Sequence, residues 1–167
     1  MSSAFSADEQ SDKRQSNPYE RLEALGLKLP QSPSPIANFR AAMRDGQMIF
    51  LSGQGPTGED GTLHTGKVGE TVSTEEAYRH ARLTGLNLIS VMQEAIGDLR
   101  RIRRVIKIFG MVNATPDFAE HSAVIDGCSD LFCDVFGESG QHARTAIGVS
   151  SLPRSITVEI EAVIAVD

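Results

Sequence analysis

A chain of 167 residues fits one domain with a tail and can bury a substantial core. Hydrophobic residues make up 40% and charged residues 23%, and 22 acidic against 16 basic side chains leave a net charge of −6. That balance argues against binding a nucleic-acid backbone, which needs clustered Lys and Arg. The absence of a twenty-residue apolar run argues against a membrane span. Small anionic ligands remain open, given one well-placed positive charge.

The opening segment, "MSSAFSADEQSDKRQSN", has no apolar centre and is not a secretory signal. Residues 1–16 are polar and aperiodic and are expected to form a disordered tail. Residues 17–34 are expected to hold a short helix and a linker. Asn17 can cap, Pro18 suits the first helical position, Glu20 follows three after the cap, and Gly26 can end the helix. "PQSPSP" then breaks regular structure before the main domain, residues 35–167.

"FRAAMRDGQMIFLSGQ" reads as a β-hairpin with Asp45-Gly46 at its turn. The loop "GPTGEDGTLHTGKVGE" follows, with room for a short strand at its end. It contains G-x-x-x-x-G-K, but Val68 stands where a phosphate-binding loop needs Ser or Thr, and no helix begins at once. Ser73 and Glu76 form a capping box for a long helix. Its apolar stripe is Ala77, Ala81, Thr84, Leu88, Val91, Met92 and Ala95, and Gly97 is the stop.

"RVIKIFGMVN" is a strand. Thr115, Pro116 and Asp117 are expected to start a second long helix, with Phe118, Ile125, Ser129, Phe132 and Phe136 on one face and Gly137 as its end. Residues 141–164 read as a final pair of strands joined by a turn. In the last strand Ile156, Val158, Ile160, Ala162, Ile164 and Val166 alternate with Thr157, Glu159, Glu161, Val163 and Ala165. The order β-β-α-β-α-β-β implies two crossover helices on one face of a single sheet. The other face, mixed rather than fully polar, suits a subunit interface.

Arg144 alternates with Thr145, Ile147 and Val149, so Arg144, Ala146 and Gly148 are expected opposite the helices. Small neighbours leave room for a ligand, and a guanidinium grips a carboxylate through two parallel hydrogen bonds. A plain surface or interface arginine is the other reading. Glu159, expected on the same face, is either a base or water-positioning group, or a carboxylate neutralised by an arginine. His142, two before Arg144, is a neighbour of this candidate site, while His80 and His121 read as helix-surface residues. No metal spacing is present among the histidines. The run Arg100, Arg101, Arg103 and Arg104 reads as a solvated turn or an intersubunit contact. Cys128 and Cys133 lack activating neighbours and suit reduced thiols in the cytoplasm.

At "HARTAIGVSSLPRSITVEIEAVI" the chain resembles the RidA/YjgF family of enamine/imine deaminases, some members of which carry an endoribonuclease L-PSP label. The resemblance rests on Arg144, Leu152-Pro153 and "VEIEAV". "IFLSGQGP" and "PDFAE" add to it, and it covers about residues 35–167. The N-terminal "NPYERLEALGLKLP" resembles a longer-chain subgroup. The resemblance implies a chorismate-mutase-like α+β fold and a homotrimer with sites at subunit interfaces. It also implies that Arg144 binds the substrate carboxylate and Glu159 positions a water. Ser52 and Gly53 would line the pocket, and no metal or organic cofactor would be needed.

Two positions depart from the family pattern. Phe39 stands where many members have tyrosine, and Ala146 where many have cysteine. These leave open a second reading, a non-catalytic trimeric module for a small carboxylate metabolite. A ribonuclease activity is disfavoured by the acidic balance.

Overall fold

A computed structural model of the chain describes residues 17–32 and 38–167. The expected tail and linker positions 33–37 lie outside the described residues. The first element, α1 (Pro18–Ala24), begins where its cap requires: the Asn17 side chain accepts from the Tyr19 amide at 3.0 Å. Leu22 from α1 enters the core, and the Tyr19 hydroxyl bonds Gln93 while receiving the Leu99 amide. The short helix is thereby pinned to the domain, as its length demands.

The strands are β1 (Ala42–Asp45), β2 (Met48–Gln54), β3 (Ile102–Asn113), β4 (Ala143–Val149) and β5 (Val158–Val166). They form one sheet in the order β1-β2-β5-β3-β4. The first hairpin forms as expected, but Asp45 pairs with Met48, so the turn residues are Gly46 and Gln47. Gly46 takes φ 57°, which a residue with a side chain adopts at a cost. The loop after β2 contributes isolated bridges at Thr57, Thr65 and Val68 rather than a further strand.

The two long helices are α2 (Thr74–Ile96) and α3 (His121–Phe136). Ser73 caps α2 by accepting from the Glu76 amide at 3.2 Å, and Gly97 ends it at φ 76°. Ala95 is exposed and Ile96 is buried in its stead. α3 starts later than Thr115-Pro116-Asp117 suggests. Those residues form a turn in which the Phe118 amide bonds the Thr115 carbonyl, so Phe118 packs on the core from outside the helix. α2 and α3 touch at glycines: a Cβ on Gly127 would strike the Tyr78 carbonyl, and one on Gly85 would meet Cys128 Sγ at 3.1 Å. His80 is buried rather than on the helix surface, with Nδ1 3.0 Å from the Thr157 hydroxyl.

Both helices cover one sheet face. Ile108, Val112, Val158, Ile160, Ala162 and Ile164 lie buried beneath them. The alternation expected of the last strand therefore holds for Val158, Ile160, Ala162 and Ile164, whereas Thr157, expected on the other face, is buried and bonds His80 of α2. The expected final hairpin does not form: β3 lies between β4 and β5, running parallel to β4 and antiparallel to β5. No helix among the described residues is long and apolar enough to cross a membrane.

Candidate functional site: two half-sites on opposite faces of one sheet

β4 is an edge strand, and its register fixes which way Arg144 points. Arg144 pairs with Ile108, Ala146 with Gly110 and Gly148 with Val112. Ile108 and Val112 face the helices, so Arg144, Ala146 and Gly148 do too. This inverts the expected facing of β4. Ala146 and Gly148 are small because α3 lies on this part of the sheet. Ile125 would meet a Cβ on Gly110, His121 would meet one on Gly148, and Ala146 packs against the core.

Arg144 reaches out from this edge to α3. Its Nη1 donates to Asp126 Oδ1 at 2.6 Å and to the Ser129 hydroxyl at 3.0 Å. Its Nε and Nη2 have no hydrogen-bond partner among the described residues. The guanidinium side chain is 24% exposed. It is thus anchored by one nitrogen, with the Nε–Nη2 edge left for a planar anion.

His142 shares this face and completes the anchor. The Gly140 carbonyl can only accept, so His142 Nδ1 donates to it, at 2.5 Å. Nε2 then accepts from the Ser129 hydroxyl at 3.1 Å, and Ser129 in turn accepts from Arg144. Hydrogen bonds therefore run one way, from Arg144 through Ser129 and His142 to Gly140. The order needs a neutral imidazole. Burial pushes the His142 pKa down, and the nearby positive charge of Arg144 adds to the shift against the opposing Gly140 bond. His142 is a support for Arg144 rather than a wall of an open pocket. Asp126 and Ser129 were not picked out from sequence as site residues. A serine within the expected apolar stripe of α3 was the available signal.

The second group lies on the open face. Glu159 pairs with Met111 and points away from the helices. A Cβ on Gly53 would fall against the Glu159 carboxylate, so these two residues are in contact, and a larger residue at position 53 would push the Glu159 side chain aside. Ser52 donates its hydroxyl to the Arg40 carbonyl at 2.7 Å and its amide to the Ala41 carbonyl at 2.9 Å. That ties down the segment carrying Phe39, which is 51% exposed. Glu159 makes no hydrogen bond or ion pair with the described residues. Burial, and then the charge of Glu161, raise its pKa.

Arg144 and Glu159 consequently do not meet within one chain. Their partners on β3 are three residues apart, and β3 separates their strands. That places the two backbone positions about 10 Å apart along the strands and about 10 Å across them, with side chains on opposite faces. The open face also exposes Met43, Phe50 and Ile147. Burying half-exposed side chains of this size is worth roughly 1 kcal/mol each, so the face favours contact with another surface.

A cavity of about 360 Å³ beside β1 and α2 contains neither group. Another, about 470 Å³, lies at the β4 end near Gly148, His121 and Lys67. Lys67 donates there to Asn113 Oδ1 and the Ser150 carbonyl and acts as a loop tie.

A family model described as "YjgF/chorismate mutase-like, putative endoribonuclease" matches residues 19–159. Protein TCP17 of Trypanosoma cruzi is 41% identical over 144 residues, covering 86% of this chain and 90% of that protein. A 2-iminobutanoate/2-iminopropanoate deaminase of Dermatophagoides farinae is 26% identical over 146 residues, covering 84% of this chain and 95% of that protein. The crystal structure of a protein of unknown function from Agrobacterium tumefaciens is similar at a TM-score of 0.83 and 40% identity, covering 90% of this chain and 94% of that one.

Proposed function

The chain belongs to the YjgF/chorismate mutase-like family, and from that premise we propose that it hydrolyses small 2-imino acids, or their enamine tautomers, to 2-oxo acids and ammonia. The sites lie between subunits of a homotrimer. Arg144 of one subunit holds the substrate carboxylate, and Glu159 of a neighbour holds the attacking water, with Ser52, Gly53 and Phe39 beside it.

The observation that carries this reading is the state of Arg144. Its Nη1 is fixed by Asp126 and Ser129, while the Nε–Nη2 edge is unfilled. That edge matches one carboxylate. A raised Glu159 pKa suits a group that takes a proton from water. The water adds to the imine carbon, the nitrogen gains protons, and the C–N bond breaks to release ammonia. An iminium carbon is already electrophilic, so orientation and one proton acceptor suffice, with no cofactor. The D. farinae relative is named for this reaction. Reduced thiols at Cys128 and Cys133 agree with action in the cytoplasm.

The test generates imino acid in situ with an amino-acid oxidase and follows 2-oxo acid release above spontaneous hydrolysis. Wild type accelerates release, and Arg144→Ala returns it to the uncatalysed rate. Equal rates for the two proteins refute the assignment.

A second reading keeps Arg144 as the anchor of a non-catalytic carboxylate-binding module. It is favoured by Ala146, which packs on the core and brings no polar group to the site, and by the absence of a hydroxyl on Phe39. Stabilisation by small carboxylates without turnover supports that reading instead.

A further inference from the structure

A further cavity of about 360 Å³ lies between residues 30–32, the loop after β2 and the middle of α2. Both of its walls hang from one face of that helix. Asn87 Nδ2 donates to the loop, to the Gly55 carbonyl at 2.9 Å and the Thr57 carbonyl at 3.1 Å. Ser90, three residues on and therefore on the same face, donates to the Pro30 carbonyl at 2.5 Å. The cavity sits at β2, three strands across the sheet from β4, and neither Arg144 nor Glu159 lines it.

The polar groups left over in this lining are acceptors. A carbonyl can only accept, so the two bonds fix which way the Asn87 amide faces, and its Oδ1 has no partner among the described residues. Asn87 is only 5% exposed, so this oxygen is a nearly buried acceptor in the cavity wall. Gln54 is in the same position: its Nε2 donates to the Ser52 carbonyl at 3.2 Å and leaves Oε1 over. Ser32 Oγ is buried with no partner, which costs free energy for as long as it stays so. Glu59, exposed and without an ion pair among the described residues, adds a carboxylate. The loop amides that could cradle an anion are spent, since Thr57, Gly58 and Gly61 donate to carbonyls within the loop. No Lys, Arg or His lines the cavity among the described residues. An anion finds little to grip there, and a cation with N–H groups finds several acceptors.

We infer that this cavity is a binding site for a small organic cation of the primary-ammonium class. Asn87 Oδ1 is its anchor. Gln54 Oε1 and, after a turn about χ1, the Ser32 hydroxyl are the other acceptors of the same lining. Glu59 supplies the balancing charge. The site goes beyond the deaminase reading and stands without it.

Three small probes separate the contributions. Propylammonium carries charge and N–H donors, tetramethylammonium carries the charge alone, and propanoate carries the opposite charge. Each is titrated into the full chain while the side-chain amide resonances are followed by NMR. Propylammonium shifts the Asn87 signal to saturation, and the other two leave it in place. Ser32→Ala weakens propylammonium about fivefold, and Glu59→Gln weakens it about threefold. Neither side chain has a partner in the ligand-free protein, so both variants keep at least the wild-type Tm. Equal shifts from tetramethylammonium overturn the inference, because the acidic surface then attracts any cation. An Asn87 signal that propylammonium does not move, or affinities that neither variant changes, overturn it as well.

Discussion

Arg144 and Glu159 point to opposite sides of one sheet, so the proposed site has to draw them from two chains. This can be measured by mixing. Arg144→Ala spoils one half and leaves the Glu159 half intact; Glu159→Gln does the reverse. Neither variant alone can assemble a complete site. When the two are dissociated, mixed in equal amounts and reassembled, each interface draws its arginine half and its glutamate half independently. Half of the arginine halves and half of the glutamate halves are sound, so about one site in four is complete, whatever the number of subunits in the ring. The imine-hydrolysis assay should therefore recover about a quarter of wild-type activity from two inactive parents. A mass measurement on differently tagged chains shows that mixed assemblies have formed. If they have, and activity stays at the level of the parents, the two groups do not share a site across an interface.

Other substitutions probe the same groups singly. Glu159 has a folded-state pKa above its unfolded value, so its charged form opposes folding and the penalty fades as pH falls through the folded value. Glu159→Gln should raise Tm at neutral pH and flatten this part of the pH dependence, and a lowered Tm would contradict that sign. His142 has the opposite case. Its folded pKa is depressed, so the unfolded chain binds the proton first, and stability declines as pH drops below about 6.5. A Tm-against-pH scan of His142→Asn should show a shallower decline, the remainder belonging to His80, whose pKa burial also lowers, and a curve parallel to wild type would show that His142 contributes nothing to the loss. Gly127→Ala forces a methyl into the Tyr78 carbonyl between α2 and α3 and should cost about 2–3 kcal/mol in denaturant unfolding. A cost near zero would mean that the helices can separate freely.

Local signals wrote much of this structure into the sequence. Side-chain caps at Asn17 and Ser73 and the stop at Gly97 fixed the ends of α1 and α2 because each depends on neighbours within a turn. Strict alternation in β5 gave its facing correctly because that strand is central and one side is fully buried. β4 was harder to read. It is an edge strand whose even positions beyond Arg144 are small, and smallness has two causes, space for a ligand or pressure from a helix. The second applies at Ala146 and Gly148, and only the register with β3 reveals it. Residues 141–164 read as two paired strands because strand pairing is non-local: β3, inserted between β4 and β5, ends at Asn113, well before β4 begins at Ala143. Asp126 escaped notice for a related reason, since its partner is eighteen positions away on another element.

The opposed placement of the two groups would also give the proposed assembly a direction. A front that needs a back joins head to tail, and such a joint repeats until something stops it. An open row of subunits would always leave one unmatched arginine at one end and one unmatched glutamate at the other. Closing the circle is the arrangement in which no half is wasted, and it makes the number of working sites equal to the number of chains.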